Sequence, residues 1–134
     1  MVTRTIYKAE TTKMDSDYAI YHAGNKGFDK MSAILKRSGA EKIDTGYDVQ
    51  DEGYISDHSK FWGHYLLNGI AVSFYFFTSN FDPETLHCGE PRKYEKPTTI
   101  FTARLVGEKE KISGVERIVI EAIKKWEGHH ERSR

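Results

Sequence analysis

The stretch Ile70-Ala71-Val72-Ser73-Phe74-Tyr75-Phe76-Phe77 decides the fold class of this 134-residue chain. It is rich in β-branched and aromatic residues and follows the turn signal Asn68-Gly69, so it predicts a β-strand. Its apolar residues are almost continuous, which favours a central strand covered on both faces. Alternating residues over 98–106 predict a neighbouring strand.

Helical spacing marks other segments. Phe28, Met31 and Leu35 share one face of a predicted helix over residues 28–38, and Gly39 follows as its C-cap. An apolar stripe favours a helix over residues 115–126, although residues 117–120 alone, with β-branched side chains at 118–120, also fit a strand. Another predicted helix begins at the candidate cap Asp57, and its apolar side comprises Phe61, Trp62, Tyr65 and Leu66.

The remaining segments read as short strands and loops. Residues 3–9 and 18–21 are strand candidates, residues 13–17 read as a turn, and Gly24 to Gly27 break regular structure. Residues 41–52 are polar and loop-like, and residues 80–97 hold all three prolines. We expect one α+β domain over residues 1–134, with a mainly antiparallel twisted sheet, two to three helices and a frayed tail at 128–134.

The composition of the chain limits the kinds of partner and the compartment that we expect. Lys plus Arg equals Asp plus Glu at 20 each, so the formal charge is zero and there is no strong nucleic-acid signal. The longest apolar run is too short to span a bilayer, so no membrane association is expected. Cys88 is the only cysteine, which precludes an internal disulfide and fits a cytoplasmic protein.

A spaced set of residues carries the one resemblance to a known reaction site. Tyr21-His22-Ala23-Gly24-Asn25 is followed by Gly53-Tyr54, by Tyr65 eleven positions later, and by Ser113-Gly114-Val115-Glu116-Arg117-Ile118. This set resembles the NAD-binding half of ADP-ribosyltransferases of the diphtheria-toxin and poly-ADP-ribose-polymerase type. The family's Gly-Thr after the histidine is Ala23-Gly24 here.

The resemblance implies NAD as cofactor and a macromolecular acceptor. His22 would bind the adenosine ribose, and Gly24 with Asn25 would let NAD approach the backbone. Tyr54 and Tyr65 would clamp the nicotinamide ring, with Tyr54 counted in the catalytic set. Glu116 would be the catalytic carboxylate that stabilises an oxocarbenium-like transition state.

Each of these residues also has an ordinary structural interpretation: a hydrogen-bonded histidine, tyrosines in the core, a surface carboxylate. His58, His64 and the pair His87-Cys88 lack the spacing of a zinc site, so no metal is predicted. Cys88 is a candidate nucleophile, with a spectator thiol as the favoured interpretation.

The alternative function belongs to another class. A small non-enzymatic binding or inhibitor protein, of the viral or mobile-element accessory type, would act through protein–protein contacts. It would present an exposed patch that holds several of Tyr47, Tyr75, Phe81 and Tyr94. The transferase interpretation instead requires His22, Tyr54, Tyr65 and Glu116 to converge on one cleft.

Overall fold

The computed structural model describes residues 1–11, 16–50, 58–81 and 93–132. The elements in chain order are β1 (Val2–Thr11), α1 (Ser16–Arg37), β2 (Glu41–Gln50), β3 (His58–Leu67), β4 (Ile70–Phe81), β5 (Lys93–Gly107) and α2 (Lys109–Arg132). The strands form one antiparallel sheet in the order β1-β5-β4-β3-β2. This confirms the predicted α+β class, with an antiparallel sheet and two helices.

β4 is the middle strand of the sheet, as predicted, and the predicted strand at 98–106 lies beside it in β5. The near-continuous apolarity of β4 predicted cover on both faces, but the helices cover only one face of the sheet. Phe74 and Phe76 are buried on that face, whereas Tyr75 and Phe77 point the other way and are half-buried. α1 and α2 contact each other and share this side of the sheet, so the fold has two layers.

The core lies between the sheet and the two helices. Phe76 of β4 meets Phe101 of β5 edge-on, with ring centroids 4.8 Å apart, and Trp126 of α2 lies 5.3 Å from Phe76. Met31 and Leu35 of α1 are buried in the same cluster. The buried residues of α2 recur at helical spacing, which confirms the helix that the stripe favoured. That helix also includes residues 128–132, which we expected in a frayed tail.

The first helix is longer than predicted. Residues 18–21 belong to α1 rather than to a strand, and Gly24 and Gly27 lie inside it rather than ending it. A Cβ added at Gly27 would lie 2.8 Å from the Phe76 ring, so this glycine permits close approach of helix and sheet. The predicted C-cap is confirmed: Gly39 has φ 95°, and the Ala40 amide donates to the Leu35 carbonyl at 2.9 Å.

The segment before Asn68 is a strand and not the predicted helix. Phe61 and Tyr65 face the helices while Trp62 lies on the other face, which is the alternation of β3. Asn68 and Gly69 both have positive φ, and Leu67 pairs with Ile70, so the predicted turn is confirmed as a two-residue hairpin loop. Residues 41–50 form β2 at the edge of the sheet rather than a loop.

Candidate functional site

His22 and Asn25 lie together on one side of α1 and line a groove between that helix and edge strand β2. The groove has a volume of about 640 Å³. Its other lining residues come from α1, β2 and β3: Phe28, Thr45, Gly46, Tyr47, Val49 and Phe61. We call this cavity the α1–β2 groove. Two of the predicted cofactor-binding residues therefore share a concave site, and its walls are mainly apolar and aromatic.

Gly24 and Tyr65 face elsewhere. A Cβ added at Gly24 would lie 3.1 Å from Oγ1 of Thr78, so this glycine packs on β4 and is buried. The Tyr65 side chain is only 2% exposed and stacks on Phe74 with centroids 5.9 Å apart. The predicted clamp at Tyr65 thus has no exposed ring face with which to hold nicotinamide.

Glu116 lies at the opposite edge of the sheet from the groove. Its Oε2 is 3.9 Å from Nη1 of Arg4, a residue of β1. β1 and β2 are the two edge strands, and four strand spacings of about 4.8 Å separate them by roughly 19 Å. The structure therefore does not bring Glu116 to His22 and Asn25. Tyr54 lies outside the described residues.

The histidines considered for metal binding lie on β3. His64 Nδ1 is 2.9 Å from Ser73 Oγ, while His58 stacks on Phe77 and its Nε2 is 3.7 Å from a carboxylate oxygen of Asp48. Among the described residues, no group of three or more His, Cys, Asp or Glu side chains is placed to hold a metal ion. His87 and Cys88 fall outside the described ranges.

The sheet face opposite the helices is a second candidate surface, and we call it the open face. Its middle row crosses all five strands through Tyr7, Thr102, Tyr75, Trp62 and Gly46. Tyr7 is 63% exposed. Tyr75 was predicted at a surface patch, but Tyr7 and Trp62 were missed, because their place in the row depends on strand order.

Charge on the open face is segregated. Among the side chains that the structure describes, the outward positions of β1, β5, β4 and β3 include Arg104, Lys60 and two histidines and hold no carboxylate. Within the same described set, acidic residues at outward positions occur only along β2, at Glu41, Asp44 and Asp48. Although the chain is neutral overall, the open face is therefore cationic and aromatic over four strands and acidic along β2 at its edge.

Several open-face side chains are already held by their neighbours. The Lys60 ammonium lies 4.7 Å from the centroid of the Tyr75 ring, and the His58 and Phe77 rings stack with centroids 5.3 Å apart. A Cβ added at Gly46 would lie 2.3 Å from Cζ2 of Trp62, so the indole lies against this glycine. These contacts order the surface before any partner binds.

Neither described helix is both long and apolar enough to cross a membrane. In comparisons with known proteins, no protein-family model matches the chain, and no curated protein matches it at a significant level.

Proposed function

We propose that this chain is a non-enzymatic binding protein that acts through protein–protein contacts made by the open face. One observation carries the proposal: the open face extends across all five strands with aromatic side chains, whereas the described residues of the predicted catalytic set are dispersed. His22 lies at the β2 edge, Glu116 at the β1 edge and Tyr65 in the core. An ADP-ribosyltransferase requires these groups around one NAD molecule.

The dimensions of the open face match a protein interface. Five strands at about 4.8 Å and the nine paired positions of β2 and β3 at about 3.3 Å give a surface of roughly 24 by 30 Å, or about 700 Å². A standard interface buries about 800 Å² of accessible surface on each partner. The open face therefore offers enough surface for a specific complex.

The side chains of the open face favour a protein partner. Tyr75 and Trp62 are held by Lys60 and Gly46, so little side-chain freedom is lost on binding. Tyrosine, tryptophan and arginine are the residues in which interface energy concentrates. Arg104 and Lys60 complement a partner with an apolar centre and carboxylates around it.

A nucleic acid is a poorer match for the same surface. Affinity for nucleic acid scales with the number of phosphates that Lys and Arg neutralise. Among the side chains that the structure describes, the open face offers only Arg104 and Lys60 for this purpose, beside the exposed carboxylates of Asp44 and Asp48. An inhibitor or accessory protein is the class of function that fits, and the lone Cys88 is compatible with action in the cytoplasm.

The test begins with capture of partners by the tagged protein from cells of its native source, followed by purification of each captured protein. Calorimetry then compares wild type with Arg104→Glu on the open face and with Lys124→Glu on the exposed side of α2. We expect Arg104→Glu to weaken binding by about tenfold or more, because it places like charges together. Lys124→Glu should bind as wild type does. Equal binding by both variants would contradict the proposal.

A further inference from the structure

The α1–β2 groove lies on the helix side of the sheet, separate from the open face, and the edge of β2 borders it. α1 contacts β3 and β4 extensively but β2 only slightly. As a result Tyr47, although it points to the helix side, is 72% exposed. Because a side chain as large as tyrosine lines the groove and is still mostly exposed, the groove has unfilled space beside β2.

The backbone of β2 forms one end of the sheet. β2 is ten residues long and pairs with β3 on one side, and among the described residues no strand pairs with its other side. An unpaired strand edge presents a row of amide and carbonyl groups that an extended peptide can bind as an additional strand.

The side chains that line the groove follow the two-residue repeat of strand β2. Thr45, Tyr47 and Val49 line the groove at alternate positions of β2, about 6.6 Å apart. A strand added antiparallel or parallel to β2 would place its own alternate side chains over the same groove at the same spacing. Phe28 of α1 and Phe61 of β3 supply the apolar walls, with ring centroids 6.2 Å apart.

The charge of β2 favours particular residues on the side of a bound peptide that faces away from the groove. On the opposite face of β2, Asp44 and Asp48 occupy outward positions and are exposed. Opposite charges at directly facing positions of neighbouring strands stabilise the pair. We therefore propose that the β2 edge and the α1–β2 groove bind an extended peptide segment of a protein partner. Its alternate residues are apolar or aromatic and enter the groove, and the intervening residues are Lys or Arg.

An extended peptide fits this site better than a free small molecule does. A small-molecule site typically encloses most of its ligand's surface. Tyr47, which lines the α1–β2 groove, is 72% exposed, so the groove does not enclose a ligand at this position. His22 and Asn25 of α1 supply polar groups to the groove lining, and imidazole and amide groups of this kind hydrogen-bond to peptides.

The probe is a capped nine-residue peptide that alternates lysine with valine, tryptophan, valine and phenylalanine. Fluorescence anisotropy compares wild type with Tyr47→Ala and with Ile120→Ala, an exposed apolar residue of α2 that belongs to neither the groove nor the open face. Both changes remove exposed apolar side chains, so the core stays intact. We expect Tyr47→Ala to weaken binding by about tenfold or more, as for a central interface tyrosine, and Ile120→Ala to leave it unchanged.

Two further measurements test strand addition itself. Hydrogen exchange should show added protection at β2 amides and none at β1 when the peptide is bound. A peptide methylated at alternate backbone nitrogens should bind at least about tenfold more weakly, since it cannot complete the ladder. The inference is overturned by any of three results: no binding at about 1 mM peptide, equal affinity of the methylated peptide, or equal affinity of tryptophan amide alone.

Discussion

The Trp62 side chain lies directly against Gly46 on the open face, since a Cβ at position 46 would sit 2.3 Å from Cζ2 of the indole. The two residues face each other across β2 and β3. An aromatic ring over a cross-strand glycine shields the exposed backbone of the edge strand. This pair therefore fixes the shape of the open face at its β2 side.

Gly46→Ala should displace the indole, because the new methyl occupies its place. The ring is half-exposed and has room to move, so we expect a loss of about 1–2 kcal/mol in the free energy of unfolding. Urea denaturation measures the loss, and tryptophan emission should shift to the red, because the other tryptophan, Trp126, stays buried. Unchanged emission and stability would contradict the contact.

Gly27→Ala and Gly114→Ala should change stability in opposite directions, although both lie in helices. Alanine is the better helix former by about 1 kcal/mol. At Gly27 its methyl meets the Phe76 ring at 2.8 Å, so we expect a net loss of about 1–3 kcal/mol. At Gly114 nothing lies within 4 Å, so we expect a gain of about 0.5–1 kcal/mol. A stabilising Gly27→Ala, measured by thermal unfolding, would refute the packing of α1 on β4.

Thr78 and Thr99 should behave as a coupled pair. Their hydroxyl oxygens are 2.9 Å apart and both residues are buried. Thr78→Val alone removes a partner from the buried hydroxyl of Thr99, which should lower stability by about 1–3 kcal/mol. Thr78→Val with Thr99→Val should lie closer to wild type than the single changes sum to. Strict additivity in a double-mutant cycle would show that the two hydroxyls do not interact.

NAD should not bind. At a hundredfold excess over its dissociation constant a ligand adds about 2.7 kcal/mol, which a thermal shift assay detects readily. We expect no shift at millimolar NAD, because Glu116 and His22 lie at opposite edges of the sheet. Glu116→Gln should change stability by less than about 1 kcal/mol, since the ion pair with Arg4 is partly exposed. A clear shift that Glu116→Gln alters would restore the transferase interpretation.

Local signals in the sequence predicted part of the fold. The apolar run before Phe77 and the Asn68-Gly69 turn placed β4 and its hairpin, and Gly39 marked the end of α1. The same turn also implies a strand on its N-terminal side. A two-residue loop with positive φ at both positions joins two strands, so it implied that the segment before it was β3.

Other errors have physical causes that a single sequence hides. Trp62 and Tyr65 fit a helical spacing by chance, and only pairing with β4 fixes their period at two. Gly24 and Gly27 were interpreted as helix breakers because a local pattern does not show the sheet they pack against. β2 is polar because it is an edge strand, and polar strands resemble loops.

The candidate sites could be predicted from the sequence even less well than the fold. His22 and Asn25 were selected for a resemblance, and the structure places them in a groove completed by β2, which the sequence did not predict as a strand. The open-face row that joins Tyr7 to Tyr75 depends on β1 pairing with β5 across almost the whole chain. Long-range pairing of this kind has no local signature.

Site-specific photo-crosslinking in the native cells is the most direct test of the open face as the binding surface. p-Benzoylphenylalanine replaces Tyr7 on that face or, as a matched exposed apolar control, Ile120 on α2. We predict a discrete crosslinked protein from position 7, absent from position 120 and lost when Arg104→Glu is added. Crosslinks from position 120 alone, or a position 7 adduct that survives Arg104→Glu, would contradict a binding function of the open face.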